Sequence, residues 1–222
     1  SMMKHASRQY WYELYVFHTT LSPKAQQSLR NSLKEFTHTE LHFIDVTQYN
    51  EKIKNFGTKA HYSKEIFYKL IATDVLPQYD RIICSDVDVV FTGDFSPVFF
   101  MFPNEKFYYA GVGPVENSRM PYYRKDFSTT EMEILEHEIA AGFLLINLKE
   151  LRNDHKQEEI INFYVNNYPR LRLPEQDCII LTCWPYIKYL PIDYSLPISF
   201  YRLNMNQRDF YQGNTEFAGD KA

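Results

Sequence analysis

The spacing of apolar residues divides the chain into short strand patterns and helix patterns that follow one another. Strand patterns, with alternating or continuously apolar positions, occur at 10–19, 40–46, 80–91, 106–113 and 187–191. Helix patterns, with apolar residues three and four positions apart, occur at 22–36, 63–76, 130–138, 158–168 and 173–184. The segment 139–152 begins as a buried strand and continues as a helix. This alternation predicts an α/β fold with a mixed, mainly parallel sheet flanked by helices.

Two of the helix patterns begin with residues that favour a first helical turn. Ser22 and Pro23 supply an N-cap and a proline at the first helical position. Ser63 occupies the N-cap position of the segment 63–76, which we expect to end near Pro77. Both segments are therefore predicted to be helices that connect neighbouring strands.

The strand pattern at 80–91 ends in acidic residues, although an unpaired carboxylate is costly to bury. Asp86 and Asp88 stand two positions apart, and Asp94 follows closely. In an extended backbone, alternate side chains point the same way, so Asp86 and Asp88 are expected to aim at one point, with Val87 facing the other side. Two such carboxylates suit Mg²⁺ or Mn²⁺, which prefer oxygen ligands. The alternative is a solvated turn in which Asp94 caps the next segment.

Composition and charge narrow the class of protein. The 222 residues fit one domain, and 45 % hydrophobic residues provide a substantial core. A formal net charge of −4 with no polybasic block argues against a nucleic-acid partner. No apolar run reaches the roughly 18–20 residues of a membrane span. Three cysteines without a C-x-x-C pair favour reduced thiols and a cytoplasmic location.

Three segments, in order, resemble the retaining glycosyltransferases of family 8, the glycogenin-like and lipopolysaccharide galactosyltransferase-like group with the GT-A fold. "YDRIICSDVDVVFTGDFSPVF" is similar to that family's strand and Asp-x-Asp stretch. "AAGFLLINLKELR" at 140–152 is similar to its "NAGVLLINLxxWR", and "LPEQDCII" at 173–180 shares Gln176 and Asp177 with its "DQDxLN". The resemblance covers roughly residues 10–195 and implies a single GT-A (Rossmann-like) domain over residues 1–222.

The resemblance implies a metal-assisted donor site. Asp86 and Asp88 would hold Mn²⁺ (or Mg²⁺) against the diphosphate of a nucleotide-sugar donor, commonly a UDP-sugar. Lys69 stands where the family has a basic residue facing the diphosphate; its alternative is a solvated helix lysine. Gly142 would let the backbone approach the donor sugar, the alternative being a plain packing glycine.

The resemblance also implies catalytic residues in the third segment. Gln176 corresponds to a residue beneath the transferred sugar, where a neutral amide stabilises an oxocarbenium ion without trapping it. We therefore favour front-face internal return over double displacement, and predict Gln176 and Asp177 as catalytic residues. Glu175 replaces a family Asp and is expected to bind donor-sugar hydroxyls. For Glu175 and Asp177, a structural role at the helix terminus remains the alternative.

Three departures from the family pattern qualify the resemblance. Ala140 replaces the family's Asn before Ala-Gly, which removes an amide expected at the donor sugar. The family's opening strand would precede Ser1, and its C-terminal "HxxGxxKPW", which supplies a third metal ligand, has no counterpart among the seven histidines. We therefore expect a chain truncated at both ends and weakly active or inactive.

Three functions follow as hypotheses. The leading one is a hexosyltransferase acting on a glycan or lipooligosaccharide acceptor in the cytoplasm, with peripheral membrane contact left open through a segment absent here. Tyrosines at 108–123, with "PYYRKDF" at 121–127, would form its acceptor platform or lid, or else serve as loop anchors. The second is a degenerate glycosyltransferase-like domain that binds nucleotide or glycan. A nucleotidyltransferase is third, but it should carry a Gly-rich phosphate loop near the first strand, which these residues lack.

Overall fold

The computed structural model describes residues 1–54, 63–113 and 125–195. Its strands are β1 Tyr12–His18, β2 Thr39–Asp45, β3 Ile82–Ser85, β4 Tyr109–Val112, β5 Phe143–Ile146 and β6 Ile187–Leu190. Its α-helices are α1 Met2–His5, α2 Pro23–Leu33, α3 Ala72–Val75, α4 Thr129–Leu135, α5 Leu148–Asn153, α6 Lys156–Asn167 and α7 Pro174–Cys183. Its 3₁₀ helices are Thr47–Ile53, Lys64–Ile71, Ser96–Phe100 and Ile192–Tyr194. Alternating strands and helices confirm the predicted α/β class.

The strands form two sheets. β1 and β2 pair in parallel, while the second sheet has the order β3-β5-β4-β6. Within the second sheet β5 runs antiparallel to both β3 and β4, and β4 is parallel to β6. The second sheet is thus mixed, as predicted, with two antiparallel pairings and one parallel pairing among the described strands.

Apolar residues cover both faces of the second sheet. Alternate residues of β5 enter two different hydrophobic clusters, with Leu144 and Ile146 in one and Phe143 and Leu145 in the other. Because side chains alternate across a strand, the two clusters lie on opposite faces. A strand buried on both faces is continuously apolar, which explains the run "FLLI".

Helix starts follow the sequence signals in part. The side chain of Ser22 accepts a hydrogen bond from the Ala25 N–H, as expected of an N-cap. Ser63 makes no such bond, and the segment that follows it is a 3₁₀ helix before the single turn of α3. Ser128 and Glu131 form a capping box at the start of α4 that the sequence interpretation did not identify.

The strand predicted at 80–91 is much shorter in the structure. β3 ends at Ser85, and residues 87–88 form a turn in which the Val87 side chain is fully exposed. The expectation that Asp86 and Asp88 occupy alternate positions of an extended strand is therefore wrong. Asp94 does cap the next segment, since its Oδ1 accepts a hydrogen bond from the Ser96 N–H at 2.9 Å.

The antiparallel placement of β5 decides which chain segments meet at each end of the sheet. Asp86 directly follows β3, Gly113 follows β4, and Gly142 directly precedes β5, so these residues share one end. Arg81 and Asn147 share the opposite end. Among the described residues, no helix is long and apolar enough to span a bilayer.

Candidate active site

A buried lysine joins two carboxylates at the end of β3. Lys69 is only 7 % exposed, and its Nζ lies 2.7 Å from Oδ1 of Asp86 and 3.3 Å from Oε1 of Glu175. The three residues come from the 3₁₀ helix Lys64–Ile71, the end of β3 and the first turn of α7. The alternative of a solvated helix lysine is wrong, because the ammonium group is enclosed by its two partners.

The two carboxylates keep this lysine charged despite its burial. Burial alone would lower the pKa of Lys69, because it disfavours the charged form. The carboxylates of Glu175 and Asp86 outweigh that effect and raise the pKa above the ordinary lysine value. The site therefore contains a fixed positive charge held between two acids.

The backbone of Asp86 is fixed to the start of β5. Its N–H donates to the Gly142 carbonyl at 2.9 Å, and its carbonyl accepts from the Ser85 hydroxyl at 3.0 Å. A side chain added at Gly142 would place its Cβ 3.6 Å from Oδ2 of Asp86. Gly142 therefore leaves space beside the carboxylate oxygen that Lys69 does not contact.

Glu175 and Gln176 enter the same region from the first turn of α7. Glu175 is buried, and its Oε2 has no hydrogen-bond partner among the described residues. Gln176 is partly exposed, and its Oε1 accepts from the Ala141 N–H at 3.4 Å, next to Gly142. The structure thus brings together five predicted site residues: Lys69, Asp86, Gly142, Glu175 and Gln176.

Asp177 uses its carboxylate differently. The residue is fully buried, and its Oδ2 accepts from the backbone N–H groups of Arg172 at 2.6 Å and Leu173 at 3.0 Å. These bonds fix the segment that leads into α7. The contacts support the structural alternative for Asp177, and its catalytic role stays a prediction.

Asp88 lies in the exposed turn after β3. The described residues contain no group of three or more His, Cys, Asp or Glu side chains able to hold a metal ion. The available donors are the carboxylate of Asp88 and the Oδ2 of Asp86, both hard oxygen ligands of the kind that Mg²⁺ and Mn²⁺ accept. This donor chemistry fits such an ion if substrate oxygens and water complete its coordination.

Cys84 is a neighbour of the cluster that sequence reasoning did not single out. Burial raises the pKa of its thiol to about 11, opposed by the positive charge of Lys69. A protonated thiol is a poor nucleophile. Its position two residues before Asp86 in the predicted strand was the available signal, since alternate residues of a strand share a face. Of the four tyrosines in the predicted platform at 108–123, Tyr108 and Tyr109 are buried and so do not form an exposed platform, and the other two fall within 114–124, outside the described residues.

Comparison with known proteins places the chain in a family. Residues 1–217 match the model of Glycosyl transferase family 8, so the chain belongs to that family. No curated protein sequence matches it.

Solved structures of similar fold include several glycosyltransferases. The apo WbbM bifunctional glycosyltransferase is 18 % identical with a TM-score of 0.68, and the match covers 86 % of this chain but only 35 % of that chain. Apo mouse xyloside xylosyltransferase 1 is 15 % identical with a TM-score of 0.66, covering 95 % and 83 %. The galactosyltransferase LgtC, in complex with donor and acceptor sugar analogues, is 16 % identical with a TM-score of 0.69, covering 94 % and 73 %. These likenesses establish the GT-A fold.

Proposed function

We propose that this chain forms the donor site of a metal-dependent retaining glycosyltransferase. The enzyme would move a hexose from a nucleotide-diphosphate sugar, a UDP-sugar in our proposal, to a glycan or lipid-linked glycan acceptor. The observation that carries the proposal is the buried Lys69 bound to both Asp86 and Glu175, with Gln176 beside Gly142. In α/β sheets, ligands bind outside the carboxyl ends of the strands, and this cluster lies at that end of β3.

Asp86 and Asp88 are the residues that would hold Mn²⁺ or Mg²⁺ in this proposal. When bound, such an ion offsets the charge that develops on a leaving diphosphate. Lys69 would fix the orientation of Asp86 through one carboxylate oxygen, so that Oδ2 remains for the ion. Its buried ammonium adds positive charge near the position of the diphosphate.

Gln176 and Glu175 would act on the transferred sugar. The Gln176 oxygen accepts a hydrogen bond from the Ala141 N–H, which holds its neutral amide against the backbone next to Gly142. Glu175 has one buried oxygen without a hydrogen-bond partner among the described residues, which suits a sugar hydroxyl donor. An LgtC structure of 17 % identity and TM-score 0.70 is an active-site mutant in which Glu replaces Gln. Because Lys69 holds Glu175, we propose front-face internal return rather than attack by a carboxylate.

The alternative is a catalytically degenerate domain that binds nucleotide or glycan. Two observations favour it: Ala140 stands where the family has Asn, and Lys69 already neutralises part of the Asp86 charge. A degenerate domain would bind UDP with Mn²⁺ in calorimetry and turn over no donor.

Donor turnover separates the two functions. The complete gene product should release UDP from one member of a UDP-sugar panel with Mn²⁺, and Asp88→Asn should lower the rate about 100-fold or more if the ion supplies several kcal/mol. Asp74→Asn, an exposed aspartate in α3, is the matched control and should keep the full rate. Undiminished turnover by Asp88→Asn would reject the role assigned to that residue.

The unpaired edges of the two sheets are relevant to whether a complete member of the family carries a further strand. In the described parts of the chain, β1 pairs only with β2, and β3 pairs on one side only. Yet Phe17 of β1 and Ile82 of β3 pack against the same hydrophobic cluster. We propose that the family's opening strand lies between them. Amides on these two edges should then exchange slowly with solvent in the complete gene product, and fast exchange would argue against it.

The cellular location is a further part of this proposal. Cys84, Cys178 and Cys183 are all free thiols, which suits a reducing compartment. We place the enzyme in the cytoplasm and propose that it contacts the membrane surface peripherally. Fractionation of cells that express the complete gene product would test both statements.

A further inference from the structure

A second concave surface lies at the opposite end of the sheet from the candidate active site. It is a groove of about 920 Å³ between the segments that precede β3 and β4 and the segment that follows β5. Arg81 and Asp86 lie at the two ends of β3, five residues apart. At 3.3 Å per residue this separates the groove from the carboxylate cluster by roughly 16 Å. A ligand in the groove would not contact the reacting sugar.

Two exposed phenylalanines supply the aromatic wall of the groove. Phe99 and Phe100 are 39 % and 53 % exposed, with ring centroids 5.4 Å apart. The ring of Tyr10 lies 5.2 Å from that of Phe100 and extends the aromatic surface. Adjacent exposed aromatic rings are costly in water and commonly mark a binding surface.

The 3₁₀ helix Ser96–Phe100, which carries these rings, is held in place by the core and by Arg81. Val98 is fully buried beside the exposed pair. The Arg81 guanidinium donates to the carbonyls of Met101 at 2.8 Å and Phe102 at 2.9 Å. It thereby supports the left-handed backbone of Phe102, whose φ is 54°. The aromatic wall is therefore presented in a fixed geometry, which lowers the entropy cost of binding.

The charged residues that line the groove balance in number, three bases (Arg81, Lys106 and Lys149) against three acids (Asp80, Glu105 and Glu150), and three of them form ion pairs. Lys106 lies 2.5 Å from Asp154, Asp80 lies 3.4 Å from Arg152, and Glu105 pairs with Lys188. Gln78 and Asn104 add exposed amide groups to the lining. Equal numbers of acids and bases give the lining no net charge that would select an anion such as a phosphate. It does offer hydrogen bonds to hydroxyl groups.

We propose that this groove binds a neutral oligosaccharide, separately from the active site. The C–H faces of the sugar rings would pack on Phe99 and Phe100, and their hydroxyls would bond to the amides of Gln78 and Asn104. The groove would hold a glycan away from the reacting centre. The proposal concerns binding alone and does not depend on donor turnover.

The test is binding of the complete gene product to immobilised neutral hexasaccharides of the gluco, manno and galacto series, in EDTA. At least one series should bind. Phe99→Ala and Phe100→Ala should each weaken binding about tenfold, since burial of one aromatic ring is worth about that much. Asn104→Ala, an exposed change that leaves the core intact, should weaken binding severalfold.

Two controls locate the binding. Tyr189→Ala removes an exposed aromatic residue outside the groove, and Asp88→Asn alters the proposed metal site; both variants should bind like the parent. Absence of binding to all three series, binding of acidic polysaccharides only, or equal losses in Tyr189→Ala or Asp88→Asn would overturn the proposal. If the protein bound hexasaccharides but turned over no donor, the proposed transferase function would fail while this inference stood.

Discussion

Lys69 and Asp86 form a close ion pair, with Nζ 2.7 Å from Oδ1, between a buried lysine and the first residue after β3. The same ammonium group contacts Glu175, which is 106 positions further along the chain. One side chain therefore fixes the relative positions of a 3₁₀ helix, a strand end and a helix start. Stability and the geometry of the proposed donor site depend on the same contact.

Replacement of Lys69 by Met should destabilise the fold. The change leaves the Glu175 carboxylate buried without its cation, and loss of one partner of a buried pair costs roughly 3–5 kcal/mol. We expect the free energy of unfolding, measured by urea denaturation, to fall by about 3 kcal/mol. Lys54→Met, which breaks the exposed pair with Glu51, should cost less than about 1 kcal/mol. Equal losses in the two variants would contradict a special role for Lys69.

Two substitutions can distinguish a structural role of Asp177 from a catalytic one. Asp177→Ala leaves the partly buried N–H groups of Arg172 and Leu173 without their acceptor, so the free energy of unfolding should fall by about 1–3 kcal/mol. Asp177→Asn keeps an acceptor oxygen and should retain both most of the stability and most of the donor turnover per folded molecule. A stable Asp177→Asn protein that had lost turnover would instead support the catalytic prediction.

Much of the fold could be predicted from short sequence patterns, because helix starts and strand burial depend on residues that are close in the sequence. The Ser22–Pro23 helix start and the continuous apolar run of β5 follow from N-cap chemistry and from burial on both faces. Strand pairing was less accessible, because the antiparallel insertion of β5 between β3 and β4 depends on contacts distant in sequence.

The sequence predicted which residues form the candidate site but not how they are arranged. The motif segments identified Asp86, Gly142 and Gln176, which do meet at one end of the sheet. The turn at 87–88 was missed because an apolar run such as "VDVVF" is equally compatible with a strand. The burial of Lys69 was not predictable from helical spacing, since it depends on Glu175, a residue far away in the sequence.

Gly111 and Gly93 should respond differently to replacement by alanine. At Gly111 an added Cβ would lie 2.9 Å from a Leu144 methyl group and 3.0 Å from the Ala140 carbonyl, so Gly111→Ala should cost about 1–3 kcal/mol through overpacking. At Gly93 nothing lies within 4 Å, and Gly93→Ala should leave stability unchanged or slightly higher. Thermal unfolding would measure both effects, and a neutral Gly111→Ala would contradict the tight packing of β4.

Gly142→Ala tests the site rather than the fold. The nearest atom to the added Cβ is Oδ2 of Asp86 at 3.6 Å, an ordinary contact distance. The variant should therefore unfold within about 1 kcal/mol of the parent while donor turnover falls about tenfold, because the methyl group enters the space beside Asp86. Unchanged turnover in a folded Gly142→Ala protein would show that this space is not used.

Glu131 should make stability depend on pH in the acid range. A hydrogen bond from Arg170, at 2.6 Å, is the main cause that lowers the pKa of Glu131 below its ordinary 4.5. A carboxyl group with a depressed pKa in the folded state contributes stability above the unfolded pKa, and that contribution disappears as the pH falls through the folded value. Glu131→Gln should therefore unfold about 1 kcal/mol more easily than the parent at pH 7.

The difference between parent and Glu131→Gln should begin to shrink below about pH 4.5 and vanish at lower pH, as followed by urea denaturation across the range. Glu133→Gln, an exposed glutamate in the same helix, serves as the control and should show no such dependence. A Glu131→Gln deficit that stayed constant down to pH 3 would mean that the amide disturbs packing. In that case the charge-assisted bond to Arg170 would not be the source of the stability, because a packing defect does not titrate.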